Sequence, residues 1–154
     1  MKAEERLINE FYTCFQARDW RGMVRAYHAD VFFYDPVFGP LEGEEAGKMW
    51  EMLLTGATEL DLQFGEVVVD GGYASCRWVA RYIFSATGRR VVNRGVGRFA
   101  FLDGKIIEHQ DEWSFWKWSA QALGLPGVLF GWTSVLQRKV RQKARRGLDR
   151  FMKK

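Results

Sequence analysis

Between residues 55 and 60 the hydrophobic period of this chain switches from that of a helix to that of a strand. Before the switch, Leu7, Ile8, Phe11, Cys14 and Phe15 recur at helical spacing over 3–17. Trp20, Met23, Val24 and Tyr27 form a second stripe behind Asp19. Ala46, Met49, Trp50 and Leu53 mark a third helix over 42–54. A short strand, Val31 to Tyr34, separates the second helix from the third and ends at Asp35-Pro36 and a Gly39-Pro40 turn. After the switch, alternation over 60–64, 67–69, 73–84, 91–102 and 105–113 predicts strands, joined at Asp70-Gly71-Gly72, Thr87-Gly88 and Asp103-Gly104. Helices followed by an antiparallel meander predict an α+β fold, with the helices packed on one face of the sheet.

Composition narrows the function classes. With 154 residues and 47% hydrophobic content the chain can build one real core. Its 7 Trp, 12 Phe and 5 Tyr either fill that core or line a cavity for an apolar guest. No apolar run is long enough to cross a bilayer, and the charged N-terminus lacks a signal-peptide pattern, so a cytoplasmic protein is expected. Cys14 and Cys76 lack metal-ligand spacing and suit buried reduced thiols, and no His or Cys motif calls for a metal or any other cofactor. Gly95-Val96-Gly97 lies inside a strand with no helix behind it, which removes the phosphate-loop reading; these glycines let the sheet bend or leave room for a guest.

Two segments, Tyr27-His28-Ala29-Asp30-Val31-Phe32-Phe33-Tyr34-Asp35-Pro36 and Asp103-Gly104-Lys105-Ile106-Ile107-Glu108-His109, together with the order of elements, resemble the SnoaL-like branch of the nuclear transport factor two-like superfamily. The resemblance spans about residues 5 to 137 and implies a cone-shaped, strongly bent sheet wrapped by N-terminal helices, often dimeric. Its members include ketosteroid isomerases, polyketide cyclases and limonene epoxide hydrolases, so it implies a fold more firmly than a reaction. The run from Trp116 to Gly127, with Phe130-Gly131-Trp132, resembles the C-terminal extension of a bacterial subgroup. Domain organisation follows as a cone domain over 1–127 with an appended helix over 128–154.

On such a cone, alternation turns Ile107, His109, Asp111 and Trp113 inward on the last strand, Asn93, Gly95, Gly97, Phe99 and Phe101 on the one before, and Trp78, Ala80, Tyr82 and Phe84 on the next. Tyr12, Tyr34, Trp50, Trp78, Tyr82, Asn93, Phe99 and Trp113 become candidate ligand contacts, and Asp35, His109 and Asp111 candidate acid–base residues. Asp35 matches the position of the isomerases' proton-abstracting aspartate, where burial raises a carboxylate's pKa and improves it as a base. It equally suits a turn-former bonded to backbone N–H groups. His109 and Asp111 form either an acid–base pair or a satisfied strand-end hydrogen bond. His28 reads as a cation at a helix end. The isomerases' oxyanion site is not matched: the tyrosine position holds Phe11, with Tyr12 one residue out of phase, and the acid position holds Gly97. That mechanism would need Tyr12, Tyr34 or Tyr82 as a substitute. The last acid of the epoxide hydrolases falls at Ser114.

Charge is uneven. Residues 138–154 carry nine Lys and Arg against Asp149 alone, a net +8 in a chain of +4, so residues 1–137 sum to −4. Leu129, Trp132, Leu136, Val140, Ala144, Leu148 and Met152 stripe one side of this basic helix. The stripe packs on the body or on a partner subunit, or the helix lies on an anionic membrane. Nucleic acid is disfavoured, since no reader motif accompanies the charge. The expected function is a pocket for a small hydrophobic or polycyclic molecule, with acid–base isomerase, cyclase or hydrolase chemistry. The alternative is a noncatalytic ligand-binding or dimerisation module, associated with a membrane surface through the basic helix.

Overall fold

Helix α1 (Ala3–Gln16) carries Ile8, Phe11, Tyr12 and Phe15 on one face, and Glu4 and Glu5 in its first turn complement the helix dipole. It stops at Arg18, whose φ of 58° leaves the helical region, and the Asp19 carboxylate caps α2 (Trp20–Ala26) by accepting the Gly22 N–H at 3.0 Å. The structure, a computed structural model, describes residues 2–154. After α2 come β1 (Tyr27–Asp35), β2 (Gly39–Glu42), α3 (Glu44–Thr55), β3 (Asp61–Asp70), β4 (Tyr73–Phe84), β5 (Arg89–Leu102) and β6 (Lys105–Glu112). The chain ends with α4 (Phe115–Leu123), α5 (Leu125–Phe130) and α6 (Ser134–Met152).

The six strands form one sheet in the order β2-β1-β6-β5-β4-β3. All neighbours are antiparallel except β1 and β6, which run parallel and place Phe33 beside His109. The predicted α+β class and bent, helix-wrapped sheet hold. Three local expectations do not. Tyr27 and His28 open β1 instead of closing a helix, because the chain turns extended at Tyr27 (φ −84°, ψ 141°) and its hydroxyl is taken by the core. His28 accepts the Asp30 N–H and faces Asp103 at 3.7 Å, so it caps no helix. Gly39-Pro40 forms an edge strand, the one sheet position where a residue without an N–H costs little.

Alternation also slips within β6. Ala100 pairs with Glu108 but Phe101 pairs with Ile106, so Ile107 is the extra residue of a bulge. Ile106, not Ile107, therefore enters the core, where it is fully buried.

The main core lies between the sheet's inner face and α1–α3, built from Ile8, Phe11, Met23, Phe33, Met49 and Ile106 among others. Each such side chain contributes about 1.5–3 kcal/mol by leaving water. A second cluster, Val91, Phe115, Trp118 and Ala122, joins α4 to the outer half of β5, with Leu136 and Val140 of α6 against it. Leu148 of α6 is fully buried in the main core, and Ala144 and Met152 pack around it. The apolar stripe of α6 thus packs on the body from Leu136 onward, while Leu129 and Trp132 stay exposed. The boundary expected at 127/128 falls inside α5. Ser114 caps α4 by accepting the Lys117 N–H.

Candidate active site

Four side chains from three elements, α3, β1 and β6, form a hydrogen-bonded line through the core. The Trp50 indole N–H of α3 donates to the Tyr27 hydroxyl at 2.9 Å, and Tyr27 Oη lies 2.7 Å from His109 Nδ1. His109 Nε2 lies 2.9 Å from Asp111 Oδ1. One proton assignment satisfies all three bonds: Tyr27 O–H donates to Nδ1, and a neutral imidazole donates its Nε2–H to the Asp111 carboxylate. A charged imidazole would have two N–H groups and leave the Tyr27 proton without an acceptor. His109 is 1% exposed, stacked on Phe99 with ring centroids 4.3 Å apart and met edge-on by Phe11 and Phe33. With both nitrogens committed, it fixes Asp111 and keeps no nitrogen free for a ligand. Tyr27 escapes a reading of the sequence because its spacing continues the α2 stripe.

Asp35 ends β1 on the same face as Phe33. Its Oδ1 accepts the N–H groups of Val37 (3.0 Å) and Phe38 (2.7 Å), so the turn-forming reading is correct for that oxygen. Burial nevertheless pushes the carboxyl from 3.8 up to about 7; the Asp111 charge adds to the rise, while the two N–H bonds and Arg141 oppose it. Asp35 is thereby poised near neutrality, within the influence of the Asp111 charge.

The aromatic candidates divide by what their polar ends meet. Trp118 Nε1–H donates to the Tyr82 hydroxyl, which burial holds up at about 12. Tyr34 faces the opposite side of β1 from Phe33, under α6, where Arg141 donates to its hydroxyl at 3.3 Å; it is no wall of the interior. Trp113 is half-buried, 5.9 Å from Trp118 between ring centroids, at the seam between the two apolar clusters. Asn93 is buried on β5 opposite Ala80.

Two further groups stand apart. Tyr12 Oη and Trp78 Nε1 are fully buried and have no hydrogen-bond partner among the described residues. Each rests over a glycine of β5. A Cβ on Gly97 would come to 2.3 Å from Tyr12 Oη, and one on Gly95 to 2.8 Å from the indole carbon that carries Nε1. The two glycines are two residues apart on one face, about 7 Å along the strand. Burial holds the Tyr12 hydroxyl protonated, with the Asp111 charge adding to the effect. Of Tyr12, Tyr34 and Tyr82, Tyr12 alone keeps its hydroxyl unengaged, and it occupies the space that a side chain at position 97 would fill.

Cys14 and Cys76 are both free, and burial raises both thiols, Cys76 to about 11, which keeps them protonated. Among the described residues no group of His, Cys, Asp and Glu could hold a metal ion, and no helix is long and apolar enough to cross a membrane. Two open cavities, of about 500 and 400 Å³, lie on α6: one beneath Arg138, Arg141 and Arg145 against Phe38 and Pro40, the other among Lys139, Lys143, Arg146 and Arg150.

A family model described as a SnoaL-like domain matches residues 8–109, from α1 through His109 of the hydrogen-bonded line. The chain belongs to the SnoaL-like family. Solved structures agree on the fold of this SnoaL-like domain. A hypothetical protein with a ketosteroid isomerase-like fold from Catenulispora acidiphila, in complex with trimethylamine, superposes with a TM-score of 0.68 at 15% identity, covering 82% of this chain and 96% of that one. A putative polyketide cyclase from Pseudomonas putida gives 0.65 at 19% identity, covering 79% and 98%. TerC, co-crystallised with polyporic acid, gives 0.63 at 19%, covering 73% and 92%. At these identities the likeness extends to the fold. No curated protein matches the chain.

Proposed function

We propose that this SnoaL-like domain binds a small, largely apolar ring compound bearing carbonyl or hydroxyl oxygens and catalyses proton transfer on it. The observation that carries this reading is the pair of buried, unengaged donors, Tyr12 Oη–H and Trp78 Nε1–H, side by side over Gly97 and Gly95. An unsatisfied buried donor costs about 1–3 kcal/mol, so two on one wall are a standing penalty that a ligand's oxygens would relieve. The aromatic surroundings suit a flat apolar body, in keeping with the polyporic acid co-crystallised with TerC.

Asp35 acts as the base. Its ionised carboxylate takes a proton from a carbon next to a carbonyl; the C–H bond breaks, an O–H bond forms on Asp35, and the electron pair moves onto the carbonyl oxygen. Tyr12 donates to that oxyanion, and Asp35 then returns the proton to another atom of the conjugated system. A pKa of about 7 keeps both forms of Asp35 populated near neutrality. Asp111, held by His109, Tyr27 and Trp50, is a fixed second acceptor whose charge keeps Asp35 from ionising too readily. His109 is a positioning residue.

Tyr12→Phe tests the reading, because it removes an unengaged hydroxyl. The variant should equal or exceed the parent in urea stability, yet lose affinity for hydroxyquinone and cyclic-diketone probes in thermal-shift titrations. Deuterium incorporation from D2O into a cyclic diketone should fall by about two orders of magnitude in Asp35→Asn. Probe binding with no exchange above the Asp35→Asn level would leave a noncatalytic binding module. A Tyr12→Phe variant that is destabilised and binds unchanged would remove the site altogether.

A further inference from the structure

An amphipathic helix normally buries its large apolar side chains; α5 does the reverse. It turns glycines inward: a Cβ on Gly127 would fall 1.9 Å from the Ser119 carbonyl oxygen, and one on Gly131, just past its end, 2.1 Å from Ser119 Oγ. α5 therefore meets α4 backbone to backbone, and the Trp116 indole N–H ties the pair by donating to the Val128 carbonyl at 3.1 Å. That close approach leaves the large side chains outside. Leu125 and Trp132 are each 68% exposed and Phe130 55%, with Val128 and Leu129 exposed beside them. Trp132 is held in place by its own N–H bond to the Leu129 carbonyl at 3.0 Å. The result is a rigid apolar knob, larger than the scattered single residues normal on a surface.

The knob continues into a cationic face. Exposed Val135 opens the outer side of α6, and Arg138, Lys139, Gln142, Arg146 and Lys153 follow on that side at helical spacing, all exposed. The opposite side is occupied by Leu136, Val140, Ala144 and Leu148 against the body. Packing of the stripe thus points the charge outward instead of leaving the whole helix free to roll over.

We infer that this surface docks the protein on an anionic phospholipid bilayer. The knob, with Trp132 at its edge, enters the boundary between headgroups and acyl chains, and the outer face of α6 lies over the lipid phosphates. A second copy of the chain is the poorer occupant, because a self-complementary contact would set one strongly basic helix beside another. Charge of one sign next to exposed apolar and indole side chains is the complement of an anionic interface. α4 and α6 also pack on the cluster beside Trp113 and Tyr82, so the docked face adjoins the seam between the two apolar clusters.

Co-sedimentation of the full chain with phosphatidylcholine vesicles, with and without one-third phosphatidylglycerol, tests the inference. Binding is expected to the anionic vesicles alone and to be reversed by high salt. Lys139→Ala with Arg146→Ala should weaken it by roughly fivefold per charge removed. Leu129→Ser with Phe130→Ser should weaken it by about tenfold or more. Both pairs are exposed, and unchanged near-ultraviolet circular dichroism verifies their fold. Failure of the parent protein to sediment with anionic vesicles, or binding insensitive to salt and to both pairs, would overturn the inference. So would a dimer that Leu129→Ser with Phe130→Ser dissociates while vesicles are ignored, which would assign the knob to a second copy.

Discussion

Replacing Asp35 by asparagine isolates the energy of holding a carboxyl in the interior. The folded protein raises this pKa from 3.8 to about 7, chiefly through burial. Below the lower value both folded and unfolded chains are protonated, and the group contributes equally to each. As pH rises past it, the unfolded chain gives up the proton while the folded chain keeps it, so stability falls by about 1.36 kcal/mol per pH unit until Asp35 ionises in the folded state. The gap of roughly three units corresponds to about 4 kcal/mol, reduced to about 2–4 kcal/mol because Asp35 is only half-buried and solvent reaches its edge. The amide of the Asp35→Asn variant retains a carbonyl oxygen for the Val37 and Phe38 N–H groups, so the turn survives, but it has no proton to lose. Urea unfolding of parent and variant across about pH 4 to 8 should therefore show a stability difference that moves in the variant's favour through this window and is flat above it. The difference cancels other titrating groups to first order, and a constant offset from the new amide does not affect its slope. Parallel pH profiles for the two proteins would show that Asp35 ionises normally in the fold, and the acid–base role would lose its physical basis.

Two other substitutions probe the surroundings of the site. Tyr27→Phe removes the oxygen shared by Trp50 and His109 and should cost about 3 kcal/mol in urea unfolding, with the His109 ring nitrogens changing their NMR shifts as the tautomer loses its anchor; a loss below about 0.5 kcal/mol would mean that the line of bonds does not persist in solution. Gly97→Ala places a methyl group 2.3 Å from Tyr12 Oη and 3.0 Å from the Phe99 ring, and should lower stability by about 1–3 kcal/mol; a variant as stable as the parent would show that Tyr12 does not rest on this glycine.

Much of the site is legible in the sequence because strand alternation is a local property. Placing His109, Asp111, Phe99, Trp78 and Asn93 on one wall needs no more than a period of two and the turn glycines that bound each strand. Tyr34, expected among the ligand contacts, is turned outward to Arg141 by the same rule counted from Phe33. Ile107 cannot be placed from sequence, since a bulge is a mismatch between two strands and neither strand records it alone. Tyr27 is hidden because helical spacing runs on past the residue where the chain becomes extended.

By itself the sequence determined the helices before the switch at 55–60, the run of strands after it, and the charge of α6, all of which depend on neighbours within a few residues. Tertiary structure decided the parallel pairing of β1 with β6, the meeting of Trp50, Tyr27, His109 and Asp111, and the inversion that turns glycines inward and leucines outward in α5. Those contacts join residues as many as 82 positions apart. They depend on which faces meet once the sheet has bent, and no local period encodes that choice.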